Sequence, residues 1–366
     1  MALLKNSALG VLACIMVSAC APSTMAPSIT DADAVKEAQL QKEIAVTAEN
    51  EKMQHLQNVA RPILIANAEL CEDKTAPYLG MVTQTQATTG KEYKDTLAAL
   101  YGVGEWPTVT LITNKSPASK VMKIGDMVTH INGEELKSGK AGFDRMGKIL
   151  DVMQGGEAID LVVLRDGVAG GVTLQTQKSC DYPVTLSNTD KVNAYADGKA
   201  IFITTGMMRF VESDEELALV IGHELAHNSR KHMEAKRGNA IVGGILGAVV
   251  TVATGVDVTR LGADIAAGAH SQGFENEADY VGMYHTARAG YNIDTAPSLW
   301  RRMGASNPAA IHLAGTSHPS TAKRFLSLEA TAKEIAAKRA SGQPLIPEER
   351  DPSSNNEPQE PKGLNN

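Results

Sequence analysis

The sequence is poor in the features that mark several common functions. Its 35 lysines and arginines fall short of its 42 aspartates and glutamates, which leaves a formal charge of −7, and no cluster of basic residues stands out. A nucleic-acid surface needs such a cluster to neutralise phosphates, so that class is excluded. Nothing in the chain argues for phosphate binding. Long apolar runs are missing too: residues 8–17 are too short for a comfortable membrane span. The 17 uncharged residues Ala240 to Val256 are short for a span as well, and carry Gly243, Gly244, Gly247 and Gly255. They predict a close-packed helical hairpin, with a membrane-facing gate as the other reading. At 43% hydrophobic residues, what remains is a soluble globular body.

Cysteine is scarce, four in 366 residues, and position separates the four. Met1 to Lys5 is a short, mildly basic start; the apolar stretch follows, and Val17-Ser18-Ala19-Cys20 fits a bacterial lipobox. Cys14 then leaves with a signal peptide (1–19) and Cys20 carries the lipid. An ordinary signal peptide cut near the same place is the plainer reading. Ala21 is not the aspartate of inner-membrane retention, so the expected location is the periplasmic face of the outer membrane, lipid-anchored. Cys71 and Cys180 remain as an even pair in an oxidising compartment and predict a disulfide.

The most informative residues are His223-Glu224-Leu225-Ala226-His227, the pattern H-E-x-x-H. Ser213-Asp214-Glu215-Glu216 reads as a capping box, with Leu217, Val220, Ile221 and Leu225 at helical spacing behind it and Gly238 as the expected stop. On a helix, 223, 224 and 227 fall at roughly 0°, 100° and 40°, so two imidazoles and a carboxylate share one arc. Two neutral imidazoles suit Zn²⁺, one per chain, and Glu224 is placed beside a metal-bound water as general base. A closed structural zinc site is disfavoured, because it has no use for that glutamate. The bland reading is two surface histidines on an amphipathic helix.

A third ligand must come from elsewhere. The metzincin pattern fails, because Met233 and Arg230 occupy the positions where it needs histidine and glycine; His232 lies one residue short. Phe274 to Tyr280 opens a helical run ending at Gly290, in which Glu275 and Asp279 share a face. One of them can bind zinc while the other accepts the N–H of a ligating histidine, and Glu277 points elsewhere. A solvated acidic face is the alternative.

G-H-E-L-A-H (222–227), E-N-E-A-D (275–279) and His318-Pro319 with Arg324 six residues on resemble the motifs of metallopeptidase family forty-eight, which includes HtpX-type, CAAX-prenyl and BepA-type proteases. Residues 192–206 resemble its edge-strand motif. The resemblance covers about 181–330 and implies zinc ligands His223, His227 and Glu275, base Glu224, and Asp279 behind the ligands. It implies a near-metal role for His318, either stabilising the oxyanion or occupying the open site at rest. Asn193 and Ala194 would offer backbone groups to an extended substrate.

Between the cysteines the character changes. Thr108 to Ile112 reads as a strand, Ser116-Pro117-Ala118 opens a short helix, Ile124 to Gly133 reads as strand and turn, and 141–153 has helical periodicity. Ile159–Leu164 and Val172–Thr176 flank an Asp166-Gly167 turn. The S-P-A…G-D…I-N-G run resembles a PDZ domain, one residue shorter than the common bacterial pattern. Tyr78-Leu79-Gly80-Met81 is a candidate for its carboxylate loop.

The expected architecture is α+β. A tether and amphipathic helix (20–71, helix over 30–58) precede a β-rich PDZ-like domain (72–180); a mostly helical zincin-type (gluzincin) peptidase domain with a small sheet (181–340) and a disordered tail (341–366) follow. The expected activity is that of a zinc endopeptidase acting on unfolded or misassembled envelope proteins, with a peptide as possible ligand of the PDZ-like domain. The rival is a chaperone-like or PDZ-mediated binding lipoprotein with a latent metal site.

Overall fold

In the computed structural model of the chain, residues 27–254, 259, 271–306 and 322–350 are described. The acylation candidate Cys20 with its leader, the motif histidine His318, and 351–366 lie outside them. The chain divides into two compact units, Met1–Ala45 and Val46–Asn366. The first contains the start of helix α1 (Asp31–Ala66), where the Thr30 hydroxyl accepts from the Asp33 amide at 3.1 Å and caps the helix. The helix passes the expected end at 58 and runs through Pro62, because an apolar stripe of Leu56, Val59, Ala60, Ile63 and Leu64 continues across the proline and is buried.

In the second unit, strand β1 (Thr75–Tyr78) runs antiparallel to a strand a hundred residues later, and a sheet is built between them. That sheet takes β2 (Met81–Gln84), β3 (Thr108–Ile112), β4 (Met127–Ile131), β5 (Glu134–Glu135), β6 (Ala158–Arg165) and β7 (Val168–Gln175), in the order β2-β3-β4-β6-β7 with β5 on β4. Helices α2 (Lys94–Tyr101) and α3 (Gly139–Leu150) accompany it. Ile159, Leu161 and Val163 of β6 point inward while Ala158 and Asp160 face out, the period-two pattern of a half-buried strand. Asp166 and Gly167 both take positive φ, 51° and 79°, as the tight turn of a two-residue hairpin requires. Gly80, at φ 81°, sits so close to Ser116 that a Cβ there would fall 2.0 Å from the serine Cβ. The closing strand β8 (Gln177–Cys180) pairs with β1 in register Thr75↔Cys180, and a disulfide joins Cys71 to Cys180.

Three strands follow: β9 (Val184–Ser187), β10 (Ala194–Ala196) and β11 (Ile201–Thr204). β11 lies between the other two, parallel to β9 and antiparallel to β10. Helices α4 (Thr205–Phe210), α5 (Asp214–Ser229), α6 (His232–Thr254), α7 (Ser271–Arg288), α8 (Ala296–Ser306) and α9 (Ala322–Ala340) complete the body. Leu56 and Ile63 of α1 share one core with Ile201, Leu217 and Tyr284, whereas the six-stranded sheet has a separate core around Val109, Ile131 and Leu161. α1 is fastened to both. Asn50 and Gln54 donate to the β3 carbonyls of Thr110 and Ile112 at 2.8 and 2.9 Å, Asn58 accepts from the Asn114 amide at 2.8 Å, and Gln57 donates to the Val184 carbonyl at 2.6 Å.

Three expectations are corrected. The metal-motif helix does not run to Gly238: it ends at Ser229, because Lys231 takes a left-handed φ of 56° and turns the chain into α6. Ala240 to Val256 does not fold back as a packed hairpin within the described residues. α6 continues to Thr254, with Ile241, Val242, Ile245 and Val249 exposed, and 255–256 lie outside the description. No described helix is long and apolar enough to cross a membrane. The predicted tail is not free from 341: Leu345 packs against the core, its carbonyl accepts from Arg288 at 3.0 Å, and the Glu348 amide donates to Tyr280 at 3.0 Å.

α5 and α7 cross at very close range. A Cβ on Gly222 would meet Thr286 Oγ1 at 2.4 Å and the Gly282 carbonyl at 2.6 Å; one on Gly282 would meet the His223 Cα at 2.7 Å. Backbone lies against backbone, and only glycine permits it. We therefore expect Gly282→Ala to force the helices apart and destabilise the fold by about 1–3 kcal/mol, the usual cost of overpacking. Urea unfolding checks this, and an unchanged midpoint would show that the helices have room to spare.

Candidate metal centre

α5 begins with a working cap. The Ser213 hydroxyl accepts from the Glu216 amide at 3.3 Å, but the Glu216 carboxylate reaches the Glu212 amide, at 2.8 Å, so the reciprocal arm of the expected box lands one residue early. Arg302 of α8 forks onto the same carboxylate at 2.7 and 2.8 Å. Two turns on, His223 and His227 share a face, their Nε2 atoms 3.2 Å apart. Glu275, on α7, brings Oε2 to 3.4 Å from His223 Nε2 and Oε1 to 3.3 Å from His227 Nε2. These three buried side chains are the one set among the described residues whose donor atoms could hold a metal, all within 4.8 Å of one another.

Behind the trio stands Asp279, one turn beyond Glu275. His223 Nδ1 lies 3.1 Å from its Oδ1, Trp300 donates to the same oxygen at 2.7 Å, and Arg324 grips both oxygens at 2.6 and 2.7 Å. Burial pushes the Asp279 carboxyl upward, but the Arg324 guanidinium more than reverses this and holds its pKa at about 2. Burial likewise opposes charge on His223, yet its hydrogen bonds to Asp279 and Glu275 outweigh that and push its pKa up to about 10. The site thus favours positive charge beside Glu275, and a divalent cation competes for that place with the proton. Two imidazole nitrogens and one carboxylate oxygen form a donor set that suits zinc with an open position, so these residues fit the metal.

Glu224 is buried and lines, with His223, Met207, Trp300 and Ala194, a cavity of about 30 Å³, room for roughly one water. Ala194 belongs to β10, which ends its sheet. Asn228 ties that hairpin to the metal helix, accepting from the Gly198 amide at 2.8 Å and donating to the Ala200 carbonyl at 3.1 Å. Asn193 stands just before β10, its amide donating to Thr204 at 3.1 Å. Asn228 and Trp300 belong to no motif and carry no signal in the sequence, and Arg324 is marked there only as a motif residue. Glu277 lies off the ligand face, as its register predicts.

Residues 166–332 match the sequence profile of Peptidase family M48. Over 146 residues the chain is 32% identical to a mitochondrial metalloendopeptidase OMA1 of Arabidopsis thaliana, covering 39% of this chain and 30% of that one. It is 29% identical over 132 residues to a beta-barrel assembly-enhancing protease of Yersinia pestis, covering 32% and 27%. The OMA1 of Schizosaccharomyces pombe matches at 28% over 150 residues, covering 39% and 44%. Each match spans less than half of the relative's length. A solved HtrA-type protease, AlgW with a decapeptide, aligns over 30% of each chain at 25% identity with a TM-score of 0.22, too low to carry an argument. The family match and these relatives support a metalloendopeptidase.

The geometry separates the two acidic residues of α7. Glu275→Ala should abolish stoichiometric metal binding, whereas Asp279→Asn should weaken it by about 10–100-fold, as changes behind a ligand do; chelator competition reads both, and equal losses would contradict the assignment. A second expectation concerns His285, fully buried, its Nδ1 3.2 Å from the Gly222 carbonyl. Burial pushes its pKa down to about 4. The unfolded chain begins to protonate it at about 6.5 and the folded chain does not, so its share of stability is complete above that pH and is lost as pH falls toward 4. Urea unfolding of the metal-free protein should show a shallower decline across this window in His285→Gln; an identical slope would exclude the residue as a cause.

Proposed function

We propose that this chain is a zinc-dependent endopeptidase that hydrolyses peptide bonds by direct attack of water, with His223, His227 and Glu275 as the metal ligands and Glu224 as the base. The observation that carries the reading is that a buried glutamate outside the ligand trio, Glu224, shares a cavity of about 30 Å³ with His223, one of the three ligand candidates. When bound, the zinc supplies Lewis acidity toward the scissile carbonyl and a water. Glu224 removes the proton from that water and returns it to the leaving amine. Asp279 holds the His223 ring so that Nε2 faces the ligand position. An extended substrate adds as a strand beside β10 near Asn193 and Ala194, through backbone groups, which makes sequence preference weak.

The 72–180 region serves in this reading as a PDZ-like module. Its groove is the cavity of about 740 Å³ lined by β2, by Met146 and Leu150 of α3 and by Met53 of α1, and its ligand is a peptide segment. Substrates are misfolded or misassembled envelope proteins, a choice supported by the names of the beta-barrel assembly-enhancing relatives. Cys20 carries a lipid anchor on the periplasmic side of the outer membrane, and His318 acts near the metal.

Glu224→Gln keeps the size of the side chain but cannot accept a proton. Zinc should stay bound at wild-type stoichiometry while cleavage of an unfolded protein such as casein falls by at least about 10²-fold, the usual worth of a general base. Comparable turnover by the variant would remove Glu224 from the chemistry, and a wild type that binds zinc and cleaves nothing would favour a binding protein with a latent site.

A further inference from the structure

His232 and Glu277 stand outside the ligand set, yet the structure brings both to it. The left-handed Lys231 folds the chain back at the end of α5, and α6 opens with His232 lying under His227. The two rings meet edge to face with centroids 5.0 Å apart, and Phe274 stacks on His232 at 4.7 Å. His232 is 1% exposed. Its Nδ1 lies 2.9 Å from His227 Nδ1, and its Nε2 lies 3.2 Å from Glu277 Oε2.

Two facing ring nitrogens at that distance must be one donor and one acceptor. His227 turns Nε2 toward Glu275 and His223, so a neutral His227 that gives its Nε2 lone pair to a metal carries its proton on Nδ1. That N–H donates to His232 Nδ1. His232 must then hold its own proton on Nε2, which points at the Glu277 carboxylate. Every proton in the row has one consistent place, and the row ends on an anion.

We propose that His232 is a positioning residue which, backed by Glu277, fixes the ring orientation and the tautomer of His227 so that Nε2 is the nitrogen offered to the metal. This rests on the metal-centre reading above. It makes the two ligand histidines alike in support: Asp279 backs His223 directly, and Glu277 backs His227 through one imidazole. α7 then supplies a ligand and both backing carboxylates from positions 275, 277 and 279, the middle one reaching round its helix because His232 comes to meet it.

The test uses the full chain, stripped of metal and reloaded with Zn²⁺ or with Co²⁺, whose visible d–d spectrum reports ligand geometry. His232→Phe keeps an aromatic ring against Phe274 and removes both nitrogens; zinc Kd should rise about 10–100-fold and the cobalt bands should shift. His232→Asn places an oxygen close to the Nδ1 position, so it should restore most of the affinity and the wild-type spectrum. Glu277→Gln, a change of equal size on a half-exposed side chain, should weaken zinc several-fold and reads the same row if His232→Phe fails to fold. Wild-type Kd and spectrum in His232→Phe, or His232→Asn no better than His232→Phe, would overturn the relay and reduce His232 to packing. A wild type that takes up neither metal would instead overturn the metal-centre reading beneath it.

Discussion

The contact of two glycines, Gly222 on α5 and Gly282 on α7, is what the rest of the helical body is arranged around. Where they cross, the backbones touch, and the residues on either side inherit that closeness: His223 follows one glycine, and Glu275 and Asp279 precede the other by two turns or less. Polar groups seal the crossing, with Thr286 donating to the Ala218 carbonyl at 3.2 Å and to its own helix at 2.9 Å. Other elements brace the pair from outside. Asn67 at the end of α1 donates to the His285 carbonyl at 2.9 Å, Arg302 of α8 holds the start of α5, and Arg324 of α9 holds Asp279.

Such a pocket is expensive to make. Asp279, Glu275 and Glu224 are all at most 3% exposed, and buried carboxylates are tolerated only where hydrogen bonds and opposite charge replace water. Arg324 supplies the opposite charge, with Nε and Nη2 on Asp279 and Nη2 also 3.6 Å from Glu275. The remaining imbalance is the property a cation site needs. It is also why substituting one member of the group shifts the others: they are coupled through a medium of low dielectric.

What could be read from the sequence was what lies within one element. The H-E-x-x-H face, the Ser213 cap, the Thr108–Ile112 strand and the Asp166-Gly167 turn each depend on spacing along a single helix, strand or hairpin, and the structure places each of them as spaced. At the end of α5 the usual stop signal, Gly238, is not the residue that acts: Lys231, of a type that seldom takes positive φ, makes the turn. Composition misled at 341–350, where prolines and charges suggested a free tail but Arg288, Tyr280 and Lys338 each bond the segment. Trp300 and His232 reach the site from α8 and α6, and Asn228, next to His227 on α5, meets the β10–β11 hairpin; no local spacing encodes meetings of that kind. The two glycines were visible as residues, but their purpose depends on which helix lies opposite.

The chain's order in time follows from its disulfide and from α1. Leu56 and Ile63 are made before the six-stranded sheet, but their core partners Ile201, Leu217 and Tyr284 come after it. A chain growing from its N-terminus therefore completes the sheet while most of that core is still missing. Asn50, Gln54 and Asn58 bind α1 to β3 and the turn after it, so the finished sheet holds one wall of that core in place until the rest arrives. Cys71–Cys180 then joins residues 109 apart in sequence, so that the later helices close on a wall already standing and the search across the intervening loop is shortened. Across that bridge the chain path from α1 to the helices packed on it no longer runs through the whole insert.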